Sequence, residues 1–155
     1  LSSRLRRLLA DTIRELAMQG RFYEEKEAMQ HGSTTIYRHS VHVAYVSLFL
    51  MEKWQFPMDE ASLVKGALLH DYFLYDWHEK DGGHRLHGFR HPAFALYNAS
   101  KDFSLNRKER NIIARHMFPL TVLPPRCLEA WIVCFVDKYC AFSETMGDSR
   151  IQWER

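Results

Sequence analysis

Apolar residues recur at intervals of three and four positions along almost the whole chain, and this spacing most constrains its fold. Residues 3–19 show it plainly, because Leu5, Leu9, Ile13 and Leu16 share one helical face and Gly20 follows as a stop signal. The period-two alternation that is typical of strands is nearly absent. The sequence therefore predicts an all-α fold, a compact bundle of about six helices.

Helix boundaries follow from capping residues and from the helix breakers Gly and Pro. Thr34 or Thr35 is the expected cap of the second helix, Asp59 lies near the cap of the third, and Pro92 suits the first turn of the fourth. The predicted helices span residues 3–19, 34–54, 58–74, 92–100, 104–117 and 126–144. Between them we expect a polar linker at 21–33, a long glycine-containing loop at 76–91 and an extended connection at 118–125. A loop as long as 76–91 in a compact domain is usually functional.

The composition fits one soluble domain and excludes several protein classes. We expect residues 1–155 to form a single domain, with a core at 34–145 preceded by a helix and linker at 1–33. Three cysteines without a CxxC pair favour a reducing cytoplasm. No apolar run reaches the roughly 18 residues of a membrane span, and we expect no signal peptide. A net charge of +2 from dispersed basic residues predicts no specific nucleic-acid binding.

Ionisable residues inside apolar stretches are the most informative anomaly in the sequence. Burial of a carboxylate or imidazole costs several kcal/mol unless the group is paired or binds a cation. Each case alone is explained by a satisfied core residue or an ion pair. Together they supply four imidazoles and two carboxylates from five predicted helices: His39, His70, Asp71, His91, His116 and Asp137.

A metal cluster at the centre of a helical bundle requires ligands of this kind, projecting inward from facing helices. Mixed nitrogen and oxygen donors favour iron or manganese, with zinc, nickel, cobalt or magnesium as further candidates. Six side chains are too many for one tetrahedral site that keeps an open position. They suit two divalent ions that share one carboxylate.

The ordered series of these residues resembles the HD-domain superfamily of metal-dependent phosphohydrolases. The local contexts "RHSVHVA", "GALLHDY" and "VDKY" are similar to that family's ligand helices, and the resemblance covers about residues 34–145. It implies that His39, His70, Asp71 and Asp137 hold a first ion. It also implies that Asp71 bridges to a second ion held by His91 and His116. The chain departs from the family where Tyr72 and Phe73 follow the doublet, because a nearby lysine is usual there.

The resemblance implies cleavage of a phosphoester or phosphoanhydride by a hydroxide bridged by two metal ions, with Asp71 and His70 at the catalytic centre. The expected partner is a small phosphorylated substrate, with a nucleotide among the candidates; an oligomer is left open. Groups expected to contact the substrate are Arg90, Arg115, Lys138, Lys80, His84 and His87. Aromatic residues that could stack on a base or fill the core are Tyr75, Trp77, Phe89 and Phe118. A shifted register would exchange His87 with His91.

Two alternative functions remain open on the same residues. A mixed-valence di-iron oxygenase would share the six ligands and would also use the segment before the first ligand helix. That segment here contains Tyr23, Glu24, Glu25, Glu27 and His31. The other alternative is a non-catalytic, metal-stabilised regulatory domain, which a complete ligand set makes less favoured.

Overall fold

The computed structural model describes residues 1–23, 29–31, 34–72 and 87–145, without the side chains at 29–31, 34 and 87–90. In these ranges the chain forms six α-helices and two short strands. Their bounds are α1 Ser3–Gln19, β1 Met29–His31, β2 Thr34–Thr35, α2 Ile36–Trp54, α3 Glu60–Leu69, α4 His87–Asp102, α5 Arg107–Arg115 and α6 Leu128–Thr145. The all-α prediction is confirmed. Among the described helices, none combines the length and the apolar character needed to cross a membrane.

Side-chain caps define the starts of four helices. The side chain of Ser2 accepts from the Leu5 amide at the start of α1, and Thr35 accepts from Arg38 at the start of α2. Asp59 accepts from the Ser62 amide and caps α3, as its position in the sequence predicted. Helix α5 begins with a full capping box, in which Asn106 and Glu109 each bond the other's backbone amide.

The predicted polar linker at 21–33 was wrong in one respect, since it contains a strand. Strand β1 pairs antiparallel with β2, and the partners are Met29 with Thr35 and His31 with Thr34. The register shifts between the two pairs. Strands of three and two residues are too short to show an alternating pattern, which is why the sequence did not predict them.

Two helix boundaries differ from the prediction at the ends that border the clustered histidines. Helix α3 ends at Leu69 rather than 74, and the amide of Tyr72 closes a turn on the Leu69 carbonyl. This turn lets the buried Tyr72 ring pack against Phe103. The free energy gained by burying the ring outweighs that of further helical hydrogen bonds. Helix α5 ends at Arg115, and His116 takes the C-cap position.

The predicted loop at 76–91 was wrong for its last five residues, because α4 begins at His87 instead of Pro92. Pro92 therefore lies inside the helix, where it costs the one hydrogen bond that its missing N–H would make. Burial of His91, Pro92 and Ala95 against the bundle accompanies this earlier start. His91 is consequently the fifth residue of α4, not its opening residue. The remainder of the loop, 76–86, lies outside the described residues.

Helix α3 is the central element, and it packs against α1, α2, α5 and α6. Its apolar run is almost fully buried, with Leu63, Leu68 and Leu69 inaccessible to solvent. Gly66 allows α5 to approach closely, because a Cβ at this position would lie 2.4 Å from Cδ1 of Ile112. The residues one turn further along each helix are His70 and His116.

A polar network joins α3, α5 and α6 at the end of α3 that lies away from these histidines. The Glu129 carboxylate, 3% exposed, accepts from Lys108 Nζ at 2.6 Å and from the Asp59 amide at 2.9 Å. Asn106 Nδ2 donates to Ser62 Oγ at 2.8 Å. The caps of α3 and α5 are thus cross-linked to the first turn of α6.

Candidate metal centre

The structure brings six ionisable residues from five helices together in the core. His39 lies on α2, His91 on α4 and Asp137 on α6, while His70, Asp71 and His116 follow the ends of α3 and α5. None is more than 8% exposed. Their ligand atoms form two groups, each within 4.8 Å: His39, His70, Asp71 and Asp137; and Asp71, His91 and His116. These are the residues that the sequence singled out.

Asp71 belongs to both groups, and its two carboxylate oxygens face different ones. Its Oδ2 lies 3.4 Å from Nε2 of His70 and 3.9 Å from Nε2 of His39. Its Oδ1 lies 2.5 Å from Nε2 of His91 and 3.3 Å from Nε2 of His116. One carboxylate therefore faces both ligand groups, with one oxygen toward each.

The hydrogen bonds of His70 and His116 determine which ring nitrogen is available to a cation. Nδ1 of His70 donates to the Ala67 carbonyl at 2.7 Å, and Nδ1 of His116 donates to the Ile113 carbonyl at 2.8 Å. A carbonyl can only accept, so Nδ1 carries the proton and Nε2 of the neutral ring keeps a lone pair. Among the described residues neither buried Nε2 has a hydrogen-bond partner.

These nitrogens lie close to carboxylate oxygens, an arrangement that requires a positive charge between them. Burial would lower the pKa of His70, but the adjacent Asp71 and Asp137 outweigh it and raise this pKa. Nε2 of His70 is 3.4 Å from Oδ1 of Asp137, in addition to its approach to Asp71. A metal ion supplies the missing charge and satisfies both unpaired nitrogens. The donor set of this site therefore fits a divalent metal.

His39 is held at both ring nitrogens by α6. Its Nε2 lies 3.0 Å from Oδ1 of Asp137, and its Nδ1 lies 2.9 Å from Oε2 of Glu144. The other oxygen of Glu144 lies 3.2 Å from Nδ1 of His42. The sequence analysis missed Glu144. The available signal was its position seven residues after Asp137, two turns along the same helical face.

The pKa values of the buried groups reflect their mutual contacts. Burial would lower the pKa of His39, but hydrogen bonds to Asp137 and Glu144 outweigh it and raise this pKa to about 10. Burial would raise the pKa of Asp71, but the neighbouring His70 and His91 hold it well below the usual range. Burial lowers the pKa of His116 and so favours the neutral, metal-binding imidazole. Asp71 and His116 thus hold the charge state that metal binding requires, whereas His39 must release the proton from Nε2 when a cation binds there.

The expected substrate-contacting residues fall into three groups. Lys138 Nζ donates to the carbonyl of His116 at the C-terminal end of α5, at 2.7 Å, and to the carbonyl of Cys134 on its own helix, α6, at 3.1 Å. Arg115 is half-buried, and its Nε has no hydrogen-bond partner among the described residues. Arg90 and His87 lie on α4 without described side chains, and Lys80 and His84 lie outside the described residues.

The expected aromatic and oxygenase-type residues are only partly described. Phe118 packs edge-on against Trp131, with ring centroids 5.5 Å apart, so its ring has a packing partner. Tyr23 is 45% exposed and contacts Tyr37. Neither side chain belongs to the two ligand groups. Four more residues of these two sets lie outside the described residues or lack described side chains: Tyr75, Trp77, Phe89 and His31. The same holds for Glu24, Glu25 and Glu27.

Comparison with known proteins gives one match. The family model of the HD domain matches residues 36–141, from the first residue of α2 to the last turns of α6. This range contains both ligand groups. Neither the curated proteins nor the solved structures gave a significant match.

Proposed function

The chain belongs to the HD-domain family, and from this premise we propose that it is a metal-dependent phosphohydrolase that cleaves a phosphoester or phosphoanhydride. The observation that carries the proposal is the position of Asp71, whose two oxygens face two separate groups of imidazoles. That position suits a carboxylate shared between two cations. The family and the His/Asp cluster together suggest divalent metal binding.

The first ion would be held by His39, His70, Asp71 and Asp137, and the second by Asp71, His91 and His116. Three protein ligands at the second site leave coordination positions for water and substrate. Iron or manganese suits the mixed donors best, and zinc, nickel, cobalt and magnesium are the other candidates. Bound there, divalent cations supply a water of lowered pKa and neutralise charge on phosphoryl oxygens.

The charge of Asp71 and the ring orientation of His70 suit metal binding. Asp71 stays ionised because its pKa lies well below the usual range, so it remains a charged bridging ligand. The Ala67 carbonyl holds His70 with Nε2 toward the cluster. Both side chains are almost completely buried, and fixed charges in a dry site act more strongly than in water. We assign Asp71 and His70 to the catalytic centre on this basis.

The substrate that fits this proposal is a small phosphorylated molecule, with a nucleotide among the candidates. Arg115 precedes His116 and carries a buried N–H donor that a phosphate oxygen could accept from. The remaining candidates for substrate contact are Arg90, Lys138, Lys80, His84 and His87. We also treat residues 1–155 as one domain, because α1 buries Leu5, Leu9 and Leu16 in the common core.

The decisive experiment combines metal analysis with an anaerobic activity screen. We expect about two Mn²⁺ or Fe²⁺ ions per chain, and phosphate release from a panel of nucleotides and small phosphoesters. Asp71→Asn keeps the shape of the side chain but removes its charge, so it should abolish both metal loading and phosphate release. Asp59→Asn is a matched control on the other end of α3, where Asn caps a helix as well as Asp. It should retain both properties.

Three results would contradict the proposal. Fewer than two bound ions would exclude the shared site, and activity that survives Asp71→Asn would exclude its catalytic role. Turnover that requires oxygen and releases no phosphate would instead support the oxygenase alternative.

A further inference from the structure

The imidazole of His39 obtains its Nδ1 acceptor differently from the imidazoles of His70 and His116. His70 and His116 lie just beyond the ends of α3 and α5, where the last carbonyls of a helix have no partner within it. Each uses such a carbonyl, from Ala67 or Ile113. His39 is the fourth residue of α2, and the carbonyls of that turn are taken by the helix's own amides. An acceptor for its Nδ1 must come from another helix.

Glu144 of α6 supplies that acceptor. Its Oε2 lies 2.9 Å from Nδ1 of His39, and the Glu144 side chain is 10% exposed. An ionised carboxylate can only accept, so this contact keeps a proton on Nδ1, and Nε2, 3.0 Å from Oδ1 of Asp137, is the nitrogen that faces the cluster.

His42 fixes the carboxylate in turn. It lies three residues after His39 on the same face of α2, and its Nδ1 is 3.2 Å from Oε1 of Glu144. The two oxygens of Glu144 are thus divided between two imidazoles of one helix. A carboxylate held at both oxygens cannot rotate away from His39 without losing the second contact.

We propose that Glu144, held in place by His42, is a positioning residue that keeps a proton on Nδ1 of His39 and directs Nε2 toward the cluster. Its consequence for metal binding rests on the proposed function, whereas its consequence for the Nδ1 proton of His39 does not. Carboxylates that accept from a metal-ligating histidine commonly change metal affinity 10- to 100-fold when they are removed.

The first test measures Zn²⁺ affinity of the full chain by competition with a chromophoric chelator. Glu144→Ala should weaken Zn²⁺ binding about 10- to 100-fold. Glu144→Gln should lose less, because the amide oxygen can still accept from Nδ1. Glu129→Gln is the matched control, since Glu129 is also a buried, paired carboxylate of α6, located at the opposite end of the helix. It should lower stability and leave Zn²⁺ affinity within about twofold of the unsubstituted protein.

The second test observes ring nitrogens of the metal-free protein by long-range ¹⁵N–¹H NMR. Glu144→Ala should remove the protected Nδ1–H of His39 and leave those of His70 and His116, which have carbonyl acceptors. Persistence of the His39 signal overturns the inference, as does an equal loss of Zn²⁺ affinity in Glu129→Gln. If the unsubstituted protein binds no metal but the His39 signal is lost selectively, the role of Glu144 stands and the proposed function fails.

Discussion

Gly66→Ala tests whether close contact between α3 and α5 sets the geometry of the cluster. An added Cβ would lie 2.4 Å from Cδ1, 3.0 Å from Cβ and 3.1 Å from Cγ2 of Ile112. Cδ1 can rotate away, but Cβ is fixed to the α5 backbone. The helices must therefore separate by a few tenths of an ångström to accept the methyl group.

The net effect on stability is the difference between two opposing contributions. Replacing Gly by Ala inside a helix gains about 1 kcal/mol from backbone propensity. Overpacking a tight core costs typically 1–3 kcal/mol, and a contact with a backbone-attached atom belongs in the upper half of that range. We expect a net loss of about 1 to 2 kcal/mol. At this chain length each kcal/mol corresponds to about 2–4 °C in Tm.

Urea unfolding of the metal-free protein measures this loss of stability. The variants Ile112→Val and Gly66→Ala/Ile112→Val complete a double-mutant cycle. Ile112→Val removes only Cδ1, the nearest atom to the added methyl group, and alone should cost about 0.5–1.5 kcal/mol. Because it removes the Cδ1 contact and leaves those with Cβ and Cγ2, it relieves part of the clash, and the double variant should be less destabilised than the sum of the single variants by about 0.5 kcal/mol. A Gly66→Ala protein that is more stable, or an additive cycle, would refute the reasoning.

Metal affinity provides a second measurement on the same variants. The rings of His70 and His116 lie one turn beyond Gly66 and Ile112, with centroids 5.0 Å apart. Separation of the helices moves these two ligands apart, so Mn²⁺ binding by Gly66→Ala should weaken. If the double variant recovers Mn²⁺ affinity, the loss in Gly66→Ala is caused by the steric contact with Cδ1 of Ile112.

Three further variants probe polar contacts that join the helices. Tyr72→Phe removes the hydroxyl that donates to Asp102 and accepts from the Arg21 amide, so the free energy of unfolding should fall by about 1–2 kcal/mol, read by urea titration, with Mn²⁺ content unchanged. Lys138→Met removes donors to the His116 and Cys134 carbonyls and should lower stability by about 1 kcal/mol without changing KM; a higher KM at unchanged stability would restore its expected substrate contact. Burial would raise the pKa of Glu129, but Lys108 and the Asp59 amide outweigh burial and lower this pKa below 4.5. The ionised Glu129 therefore stabilises the fold above pH 4.5, and this stabilisation is lost as the pH falls through the lowered pKa. Glu129→Gln should flatten the acid limb of stability against pH, and an unchanged limb would contradict that assignment.

The clustered residues could be predicted from the sequence because they violate the apolar pattern around them. Asp137 lies in "WIVCFVDKY" and His70 in "ALLHDY", where burial of a lone polar group would be costly. Glu144 lies in "FSETMGDS", where a polar residue near a helix end is ordinary. Its contact with His39 joins residues 105 positions apart, and no local pattern encodes such a pairing. The clustered groups were thus visible in the sequence, but the residue that contacts Nδ1 of His39 was not.

Boundaries were less predictable because tertiary contacts override local signals. Pro92 suggested a helix start, yet α4 begins five residues earlier with its apolar face against the core. The turn after Leu69 depends on the packing of Tyr72 against Phe103, which is distant in sequence. Helix existence followed from periodicity, and helix ends followed from packing.

The ends of α3 and α5 also have an electrostatic consequence for the order of binding. Both C-termini meet the cluster at His70 and His116, and the macrodipole places about half a negative charge at each such end. The first turn of α2, which carries His39, offsets only one of them. The remaining negative potential of the helix ends adds to that of the Asp71 and Asp137 carboxylates. The metal-free centre therefore attracts cations and repels phosphate. On the proposed function, metal ions would therefore bind before an anionic substrate approaches the same histidines.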